Sequence, residues 1–396
     1  MSMDSLSRTL LLPELKLLRV EYDGKKSSAV YYCIREARME YCPRCASGSN
    51  SAYDHRLVSI KDTPIRNSGV RLMILKRRLW CKKCEKPFTE YLPGIKKGHR
   101  TTDRYEASLL QACERYSNLS DVREDFQCSS DFLYRALYKE LERECREKIN
   151  YPWPYELGID EHSFRKNGKT GQTDFVSMIV DYTNRRLREL VNGKRCEDLH
   201  RELSDIPGRE NVKRVVIDMC DPFKKFIREF FCEAEVVADK FHVLRLLSPA
   251  ILKKRKEVTG TRADARAKKL LLMSSKKLDR KSAIALYNFL DRYPELNELY
   301  WTKEMLHNFY KIKRYKRAVK VFTDMTDDMA RSELPEVKKL RKTLLKWRTE
   351  ILNYFKYRIT NARTEGFNNK AKLVKRRGYG YKSFKNYRLR LLHACS

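Results

Sequence analysis

The C-terminal stretch of this chain almost lacks acidic side chains. Between Ile351 and Ser396, twelve Lys or Arg residues stand against a single carboxylate, Glu365, although Asp and Glu are spread freely through the rest of the chain. A carboxylate held inside a cationic surface suits a divalent metal ion beside a phosphate backbone. On composition alone, a surface Glu that pairs with a neighbouring Lys or Arg is the simpler explanation, so the remaining sequence has to decide.

The sequence also lacks the features of secreted, membrane-spanning and repeat proteins. It has no signal peptide and no apolar run of about eighteen residues, so we expect a soluble cytoplasmic protein. It has no internal repeat and no segment of low complexity, which argues against a solenoid. In such a chain, twelve cysteines indicate reduced thiols or metal ligands rather than disulfides.

Positive charge is what the chain has in excess. Its 396 residues are enough for two or three domains and carry a formal net charge of +33. Charge of this size far exceeds what solubility requires and indicates a polyanionic partner, of which nucleic acid is the usual one. An anionic membrane surface is the alternative partner.

Two Cys-x-x-Cys pairs stand in the N-terminal part, Cys42-Pro-Arg-Cys45 and Cys81-Lys-Lys-Cys84. Each pair closes a tight turn that presents two sulfurs together, so four thiolates can surround one structural Zn²⁺ tetrahedrally. Apolar alternation before Cys81 predicts that the pairs end strands, as in a zinc ribbon. We therefore expect residues 1–100 to form a zinc-binding module that faces phosphate. Two unrelated pairs of buried thiols are the alternative.

Residues 101–150 have helical patterns. Leu119–Phe126 and Ser130–Leu137 flank a short turn and predict a helix-turn-helix that binds DNA. Because residues 101–150 carry eleven acids against eight bases, a plain helical connector is the alternative. The residues expected to contact DNA from the second helix are Ser130, Tyr134 and Arg135.

A new domain begins at Tyr151-Pro-Trp-Pro154, after which strand and helix patterns alternate. The predicted order is three strands in succession, helix, strand, helix, strand. Asp160 lies in the middle of the first strand, whereas Asp218 and Asp239 each end a later strand of β-branched residues.

The rest of the chain has no strand pattern. Residues 243–355 show helical patterns rich in Lys and Arg. The last element, from about Trp347 to Lys375, is predicted to be one helix that carries Glu365.

Three of these carboxylates can form a metal site. Burying Asp160 among apolar neighbours is costly unless a metal ion compensates its charge. Together, Asp160, Asp218 and Glu365 can hold a pair of Mg²⁺ or Mn²⁺ ions roughly 3.5–4 Å apart, which activate water or a 3′-hydroxyl. For any single Asp, a helix cap or a salt-bridged strand end is the alternative. The residues expected to hold the DNA backbone beside this site are Asn361, Asn368, Asn369, Lys370, Lys372, Lys375, Arg376 and Arg377.

At these residues the chain resembles the ISL-three family of insertion-sequence transposases, over nearly its whole length. The family implies a DDE transposase with an RNase H-like catalytic domain, in which Asp160, Asp218 and Glu365 are the catalytic carboxylates. It also implies that residues 243–355 are an insertion before the last catalytic helix. The segments that carry the resemblance are Gly158-Ile-Asp160-Glu161-His-Ser-Phe164, Val216-Ile-Asp218-Met219, Val237-Ala-Asp239-Lys-Phe241-His242, Asn361-Ala-Arg-Thr-Glu365-Gly-Phe-Asn368-Asn369-Lys370 and Arg376-Arg-Gly-Tyr379-Gly380.

Relatives of that family also carry a C/D-x-x-H motif after the second acid, which Asp239-Lys-Phe-His242 matches. The resemblance implies that His242 steadies the strand being cut or the scissile phosphate, with a capped or core histidine as the alternative. Asp239 competes with Asp218 for the role of second acid, because it too ends a strand. We expect Glu161 to point to the other side of its strand, outside the metal site.

The sequence therefore predicts an α/β architecture. Its parts are a zinc-ribbon-like module (1–100), a helix-turn-helix (101–150), an RNase H-like catalytic core (151–242), an α-helical insertion (243–355), and the last catalytic helix with a basic tail (356–396).

The expected function is transposition of a bacterial-type insertion sequence. The protein would bind the element's terminal inverted repeats as a dimer on double-stranded DNA, associated with the nucleoid. Mg²⁺- or Mn²⁺-dependent cleavage and strand transfer would follow. A DNA-binding regulator, or an inactive remnant that no longer cuts, is the alternative, and a nuclease without strand transfer shares the same site chemistry.

Overall fold

The computed structural model describes residues 12, 14–24, 27–116, 118–166, 173–260 and 265–396. The chain divides into two compact units, Met1–Glu142 and Arg143–Ser396. Among the described residues, no helix is both long enough and apolar enough to cross a membrane.

The first unit contains a sheet of order β1-β2-β6-β5, in which β7 also pairs with β6, and a separate hairpin of β3 and β4. Alternation along β6 builds its core, because Leu72 and Ile74 are buried on one face while Leu75 on the other is exposed. The strands are β1 (Leu15–Asp23), β2 (Ser28–Arg35), β3 (Glu40–Tyr41), β4 (Gly48–Ser49), β5 (Ala52–Ile65), β6 (Ser68–Cys81) and β7 (Lys86–Thr89).

Helices α1 (Asp103–Arg115), α2 (Leu119–Asp125) and α3 (Ser130–Ile149) follow the sheet, and α3 runs across the division between the units. Side-chain caps at the starts of α1 and α2 satisfy backbone N–H groups that the first turn leaves free. Thr102 caps α1 and Asn118 caps α2. The Tyr105 hydroxyl donates to the Phe126 carbonyl at 2.8 Å, which ties α1 to the end of α2.

The second unit contains a sheet of order β10-β9-β8-β11-β12. The first three strands along the chain form an antiparallel meander, whereas β11 runs parallel to both β8 and β12. The predicted order of three strands, helix, strand, helix, strand is confirmed. The strands are β8 (Glu156–Lys166), β9 (Thr173–Asp181), β10 (Arg186–Asn192), β11 (Arg214–Ile217) and β12 (Glu235–Ala238).

Helices cover this sheet and fill the rest of the second unit. The helices are α4 (Cys196–Leu203), α5 (Asp221–Phe230), α6 (Lys240–Arg245), α7 (Ser248–Thr259), α8 (Ala265–Leu272), α9 (Arg280–Leu290), α10 (Pro294–Phe309), α11 (Tyr315–Ala330), α12 (Pro335–Lys346), α13 (Arg348–Tyr357), α14 (Ala362–Arg377) and α15 (Phe384–Ala394), with short 3₁₀ turns at Arg209–Asn211 and Ser275–Lys277.

The local sequence explains the parallel part of the sheet. Strand β11 is Arg-Val-Val-Ile, and its three apolar side chains are fully buried, as expected for a strand covered on both faces. In α5, Phe223, Phe226, Ile227 and Phe230 repeat at helical spacing and are all buried. This apolar stripe holds the helix that connects β11 to β12.

The helical segment after β12 shares one apolar core with the sheet. Helix α13 lies on β12, where the Asn353 amide donates to the Val236 carbonyl at 2.9 Å. The prediction of one helix from Trp347 to Lys375 is wrong. Helix α13 ends at Tyr357, and Arg358 adopts a left-handed conformation with φ 57°. This turn redirects the chain before α14 begins, a break that helical periodicity did not reveal.

The predicted basic tail contains a further helix, α15. It packs against β10, and its Tyr387 and Leu391 side chains are fully buried. The cations of this segment therefore belong to an ordered part of the second unit.

Candidate active site

A cavity opens where the parallel strands of the second unit end. Strand β11 pairs with β8 only as far as Ile217 opposite Ile159, so β8 has an open edge from Asp160 onward. Asp218 directly follows β11, and Asp239 directly follows β12. Carboxyl ends of adjacent parallel strands are a common location for functional groups in α/β sheets.

The cavity has a volume of about 530 Å³ and is lined by part of the residues predicted for the catalytic site and for the DNA backbone beside it. Helix α14 forms one wall and α6 contributes to another. The lining residues are Asp160, Glu161, Asp218, Cys220, Phe223, His242, Arg245, Glu365, Asn368, Asn369 and Lys372. The three predicted catalytic carboxylates therefore line one cavity.

Asp160 is the most buried of the three acids, with 8% of its surface exposed. Its Oδ1 accepts from the Glu161 backbone N–H at 2.8 Å, and its Oδ2 accepts from the Asn368 amide at 2.7 Å. Burial, followed by the charge of neighbouring Asp218, raises the pKa of Asp160 to about 7. The carboxylates of Asp160 and Asp218 are thus held close enough for their negative charges to repel each other.

Asp218 uses one carboxylate oxygen for both of its side-chain partners. Its Oδ1 lies 2.8 Å from His242 Nδ1 and accepts from the Asn361 amide at 3.1 Å. Hydrogen bonds to Asp218 and then to Asp239 raise the pKa of His242 to about 10, so the imidazole carries a positive charge at neutral pH. The structure gives the His242 imidazole two carboxylate partners, Asp218 and Asp239.

Asp239 is fully buried and uses both oxygens. Its Oδ1 accepts from the Asn361 backbone N–H at 2.9 Å. Its Oδ2 caps α6 by accepting from the backbone N–H groups of Phe241 and His242, and it also lies 3.1 Å from His242 Nδ1. Burial opposes ionisation of Asp239, but these hydrogen bonds outweigh it and lower its pKa. Asp239 therefore joins the starts of α6 and α14.

Ligand atoms of Asp218, Asp239 and His242 lie within 4.8 Å of one another, close enough to contact one metal ion. Asp218 and Asp239 therefore both lie at the site, as the two candidates for the second acid. The hydrogen-bond count favours Asp218 as the acid with a free oxygen, since every oxygen of Asp239 already accepts from a backbone N–H group.

Close packing of α14 on β8 positions Glu365. A Cβ atom at Gly158 would collide with the Thr364 and Tyr182 hydroxyls, so only glycine permits this approach. The Tyr182 hydroxyl donates to Asn361 Oδ1 at 3.1 Å and lies 2.8 Å from Thr364 Oγ1. These buried contacts fix the first turn of α14, which carries Glu365.

The cations predicted to hold DNA are distributed around α14. Lys372 is exposed at the cavity, as is Asn369, and Arg376 and Arg377 are exposed further along the helix. Lys375 instead donates to the carbonyls of Ser163 and Phe164 on β8. Lys370 lies outside the cavity lining, and its positive charge partly opposes the burial that raises the pKa of Cys395, the residue directly after α15.

Sequence reasoning missed two charged groups of the cavity. Glu161 lines it from the second face of β8, because the open strand edge exposes both faces, and its carboxylate pairs with Lys194 at 3.3 Å. Arg245 at the end of α6 is an exposed cation beside the acids. The sequence signal that could have identified Arg245 is a cation one helical turn after His242.

Comparison with known proteins identifies the family of this chain. The ISL-three (ISL3) family of DDE transposases matches residues 157–391, which is more than half of the chain. The chain belongs to the ISL-three family of transposases. A relative described as the transposase for insertion sequence element IS1001, from Bordetella parapertussis, is 24% identical over 378 residues, covering 91% of this chain and 90% of the relative.

The first unit of the transposase brings the four predicted cysteines together. Cys42 and Cys45 lie between β3 and β4, Cys81 is the last residue of β6, and Cys84 lies between β6 and β7. The Cys42–Cys84 and Cys45–Cys81 sulfur distances are 4.0 and 3.6 Å. Thiolates bound tetrahedrally to Zn²⁺ at about 2.3 Å would stand about 3.8 Å apart, so the cluster fits this ion.

Both cysteine turns of the transposase share one backbone feature. The residue after each second cysteine adopts a left-handed conformation although it is not glycine, with φ 57° at Ala46 and 51° at Glu85. Such strain persists only where the surrounding structure requires it. The two turns are therefore alike in geometry, as expected if they present their sulfurs to one shared ion.

The predicted recognition face of the transposase lies at the start of α3. Ser130, Tyr134 and Arg135 are all exposed there. Tyr134 stacks on Tyr138, and Arg135 pairs with Asp131 one turn earlier. The face thus offers hydrogen-bonding and stacking groups on a rigid helix, with part of its positive charge neutralised.

Proposed function

We propose that the second unit is an RNase H-like catalytic domain that cleaves the DNA at the ends of its element and joins the cut ends to target DNA. The observation that carries the proposal is the placement of Asp160, Asp218 and Glu365 around one cavity. The sheet supports it, because an antiparallel meander followed by two parallel strands places the first two acids on adjacent strands.

Asp160, Asp218 and Glu365 would hold Mg²⁺ or Mn²⁺. Carboxylate oxygens are the ligands that these ions prefer, and a cation would relieve the repulsion between Asp160 and Asp218. Bound there, such ions supply an activated water or 3′-hydroxyl and neutralise the leaving oxyanion.

The protein's own groups orient the acids and the DNA. Asn368 and the Glu161 backbone hold Asp160, and His242 and Asn361 hold one oxygen of Asp218, which leaves the other oxygen for a cation. The charged His242 and the exposed Lys372 and Arg245 supply positive groups for the scissile and flanking phosphates. Asp239 positions His242 and α14 rather than contacting the reacting atoms.

The first unit would recognise the terminal inverted repeats. A structural Zn²⁺ held by Cys42, Cys45, Cys81 and Cys84 would fix the separate β3–β4 hairpin to the end of the β6–β7 hairpin. Helices α2 and α3 would act as a helix-turn-helix, with the start of α3 in the major groove. Two such molecules, one on each element end, would form the dimer in which both ends are cut.

A cleavage assay tests the proposal. Purified full-length protein is incubated with Mg²⁺ and a DNA duplex carrying the element's terminal repeats, and nicks are mapped on denaturing gels. Wild-type protein should cut at the repeat ends, and Asp218→Ala and Glu365→Ala should bind the duplex without cutting it. Cleavage that survives either substitution refutes the assignment of that residue.

The same assay separates the alternative functions. Binding of the duplex by the wild type without metal-dependent nicking would identify a regulator or an inactive remnant. Nicking without covalent joining of the 3′ end to a target plasmid would identify a nuclease. Our proposal requires both products.

A further inference from the structure

A second group of metal-binding side chains lies outside the active-site cavity. Cys196 and His200 stand one turn apart on α4, and Glu229 stands near the end of α5. Their ligand atoms all lie within 4.8 Å of one another. Residues four apart on a helix project from the same face, so the spacing of Cys196 and His200 presents both to α5.

The distances within this group suit a bound ion. Cys196 Sγ lies 3.2 Å and His200 Nε2 lies 3.5 Å from the same carboxylate oxygen, Glu229 Oε2. Around a tetrahedral Zn²⁺ with ordinary bond lengths, a sulfur and an oxygen ligand stand about 3.6 Å apart, and a nitrogen and an oxygen ligand about 3.4 Å apart. Both distances to Glu229 therefore lie within a few tenths of an ångström of these values, and the Cys196 sulfur and the His200 ring nitrogen lie within 4.8 Å of each other.

We propose that Cys196, His200 and Glu229 form a zinc site that joins α4 to α5. A thiolate, an imidazole and a carboxylate supply three ligands typical of protein-bound Zn²⁺, and a water molecule supplies the fourth. One side of the site is open to solvent and can accept this water, because the His200 and Glu229 side chains are 38% and 46% exposed. The Cys196 thiol closes the buried side.

Packing already holds the histidine in the required orientation. The His200 ring packs against Phe226 and Phe230 in T-shaped arrangements, at centroid distances of 5.2 and 5.3 Å. The Lys225 ammonium lies 3.8 Å from the Glu229 carboxylate, at its other oxygen, Oε1. Oε2 therefore remains directed at the thiol and the imidazole.

The position of the site gives it a mechanical consequence. Helix α5 begins three residues after Asp218, so an ion that fixes α5 against α4 also restrains the segment that carries this acid. Zinc bound at Cys196, His200 and Glu229 would thereby stabilise the sheet edge at which the cavity opens. Cys196, His200 and Glu229 belong to the second unit and are separate from the four cysteines of the first unit.

The proposal is tested by measuring the number of zinc ions bound per chain of the full-length protein. Protein is loaded with Zn²⁺, dialysed against excess Mg²⁺ so that the active-site acids do not retain zinc, and analysed by inductively coupled plasma mass spectrometry. We expect two zinc ions per wild-type chain, and one in Cys196→Ser and in Glu229→Gln. The matched control is Cys232→Ser, which should keep two, because its thiol bonds the Glu229 carbonyl outside the cluster.

The outcomes distinguish this site from the four-cysteine site. Cys42→Ser should also retain one zinc, and the double variant Cys42→Ser/Cys196→Ser should retain none. The proposal is overturned if Cys196→Ser and Glu229→Gln keep the wild-type zinc content, or if Cys232→Ser loses an ion. Circular dichroism of each variant identifies unfolding. If Cys196→Ser does not fold, Glu229→Gln still decides the test, because it changes a half-exposed side chain without altering its size.

Discussion

Neutralising Asp239 should destabilise the protein, whereas neutralising Asp218 should not, although both acids end parallel strands. The difference lies in how their oxygens are used. Asp239 accepts through both oxygens, from Asn361 on one side and from the start of α6 on the other. Asp218 accepts its two side-chain hydrogen bonds through Oδ1 alone.

The expected loss of unfolding free energy for each variant follows from the hydrogen bonds that its carboxylate oxygens accept. In Asp239→Asn, one oxygen becomes an amide NH₂ group that faces a backbone N–H donor in a fully buried position, whereas the loss of one carboxylate partner by the half-buried His242 is common to both variants. Hydrogen bonds to charged groups and broken buried pairs together place the loss at about 2–4 kcal/mol of unfolding free energy. Asp218→Asn keeps its acceptor oxygen and relieves the repulsion with Asp160, so its change should stay within about 1 kcal/mol.

Urea unfolding, followed by tryptophan fluorescence, measures both changes. Asp239→Asn should lower the midpoint clearly relative to the wild type, and Asp218→Asn should leave it nearly unchanged while abolishing cleavage. Equal midpoints for the two variants, or a larger loss in Asp218→Asn, would show that Asp239 does not join α6 and α14 as described.

Three further substitutions test other parts of the account. Gly158→Ala should push α14 away from β8, lower the unfolding free energy by about 1–3 kcal/mol and slow cleavage about 100-fold. The control Gly366→Ala, whose added Cβ meets open space, should be harmless. Equal cleavage rates for the two variants would contradict the packing of α14 on β8. Cys81→Ser should release one zinc and weaken DNA binding while the catalytic unit stays folded; retained zinc and binding would exclude the four-cysteine site. Tyr134→Ala should weaken binding to the terminal repeat in a gel-shift assay, and unchanged affinity would remove α3 from the interface.

The sequence predicted the elements that carry the site because their signals are local. Asp218 and Asp239 each follow a short run of β-branched residues, and the strand order around them came directly from the apolar pattern. The four cysteines were equally readable, since their spacing alone specifies two similar turns. Local patterns thus located the acids and the four clustered cysteines along the chain.

Tertiary contacts determined what the sequence could not reveal. The left-handed turn at Arg358 separates α13 from α14, and the bulk of Tyr182 and Thr364 makes glycine necessary at position 158. Which cations of α14 face the cavity depends on that docking, so Lys375 bonds β8 while Lys372 stays exposed. Glu161 enters the cavity lining because β11 ends early, a feature of sheet register rather than of strand alternation.

Metal rescue of cysteine variants tests most directly which acids hold the catalytic ions. A thiolate is a softer ligand than a carboxylate and disfavours Mg²⁺ relative to Mn²⁺. Asp218→Cys should therefore fail to cut the terminal-repeat duplex with Mg²⁺ and regain cleavage with Mn²⁺, whereas Asp239→Cys should not be rescued. Wild-type cleavage by Asp218→Cys in Mg²⁺, or rescue of Asp239→Cys alone, would contradict the proposed triad of Asp160, Asp218 and Glu365.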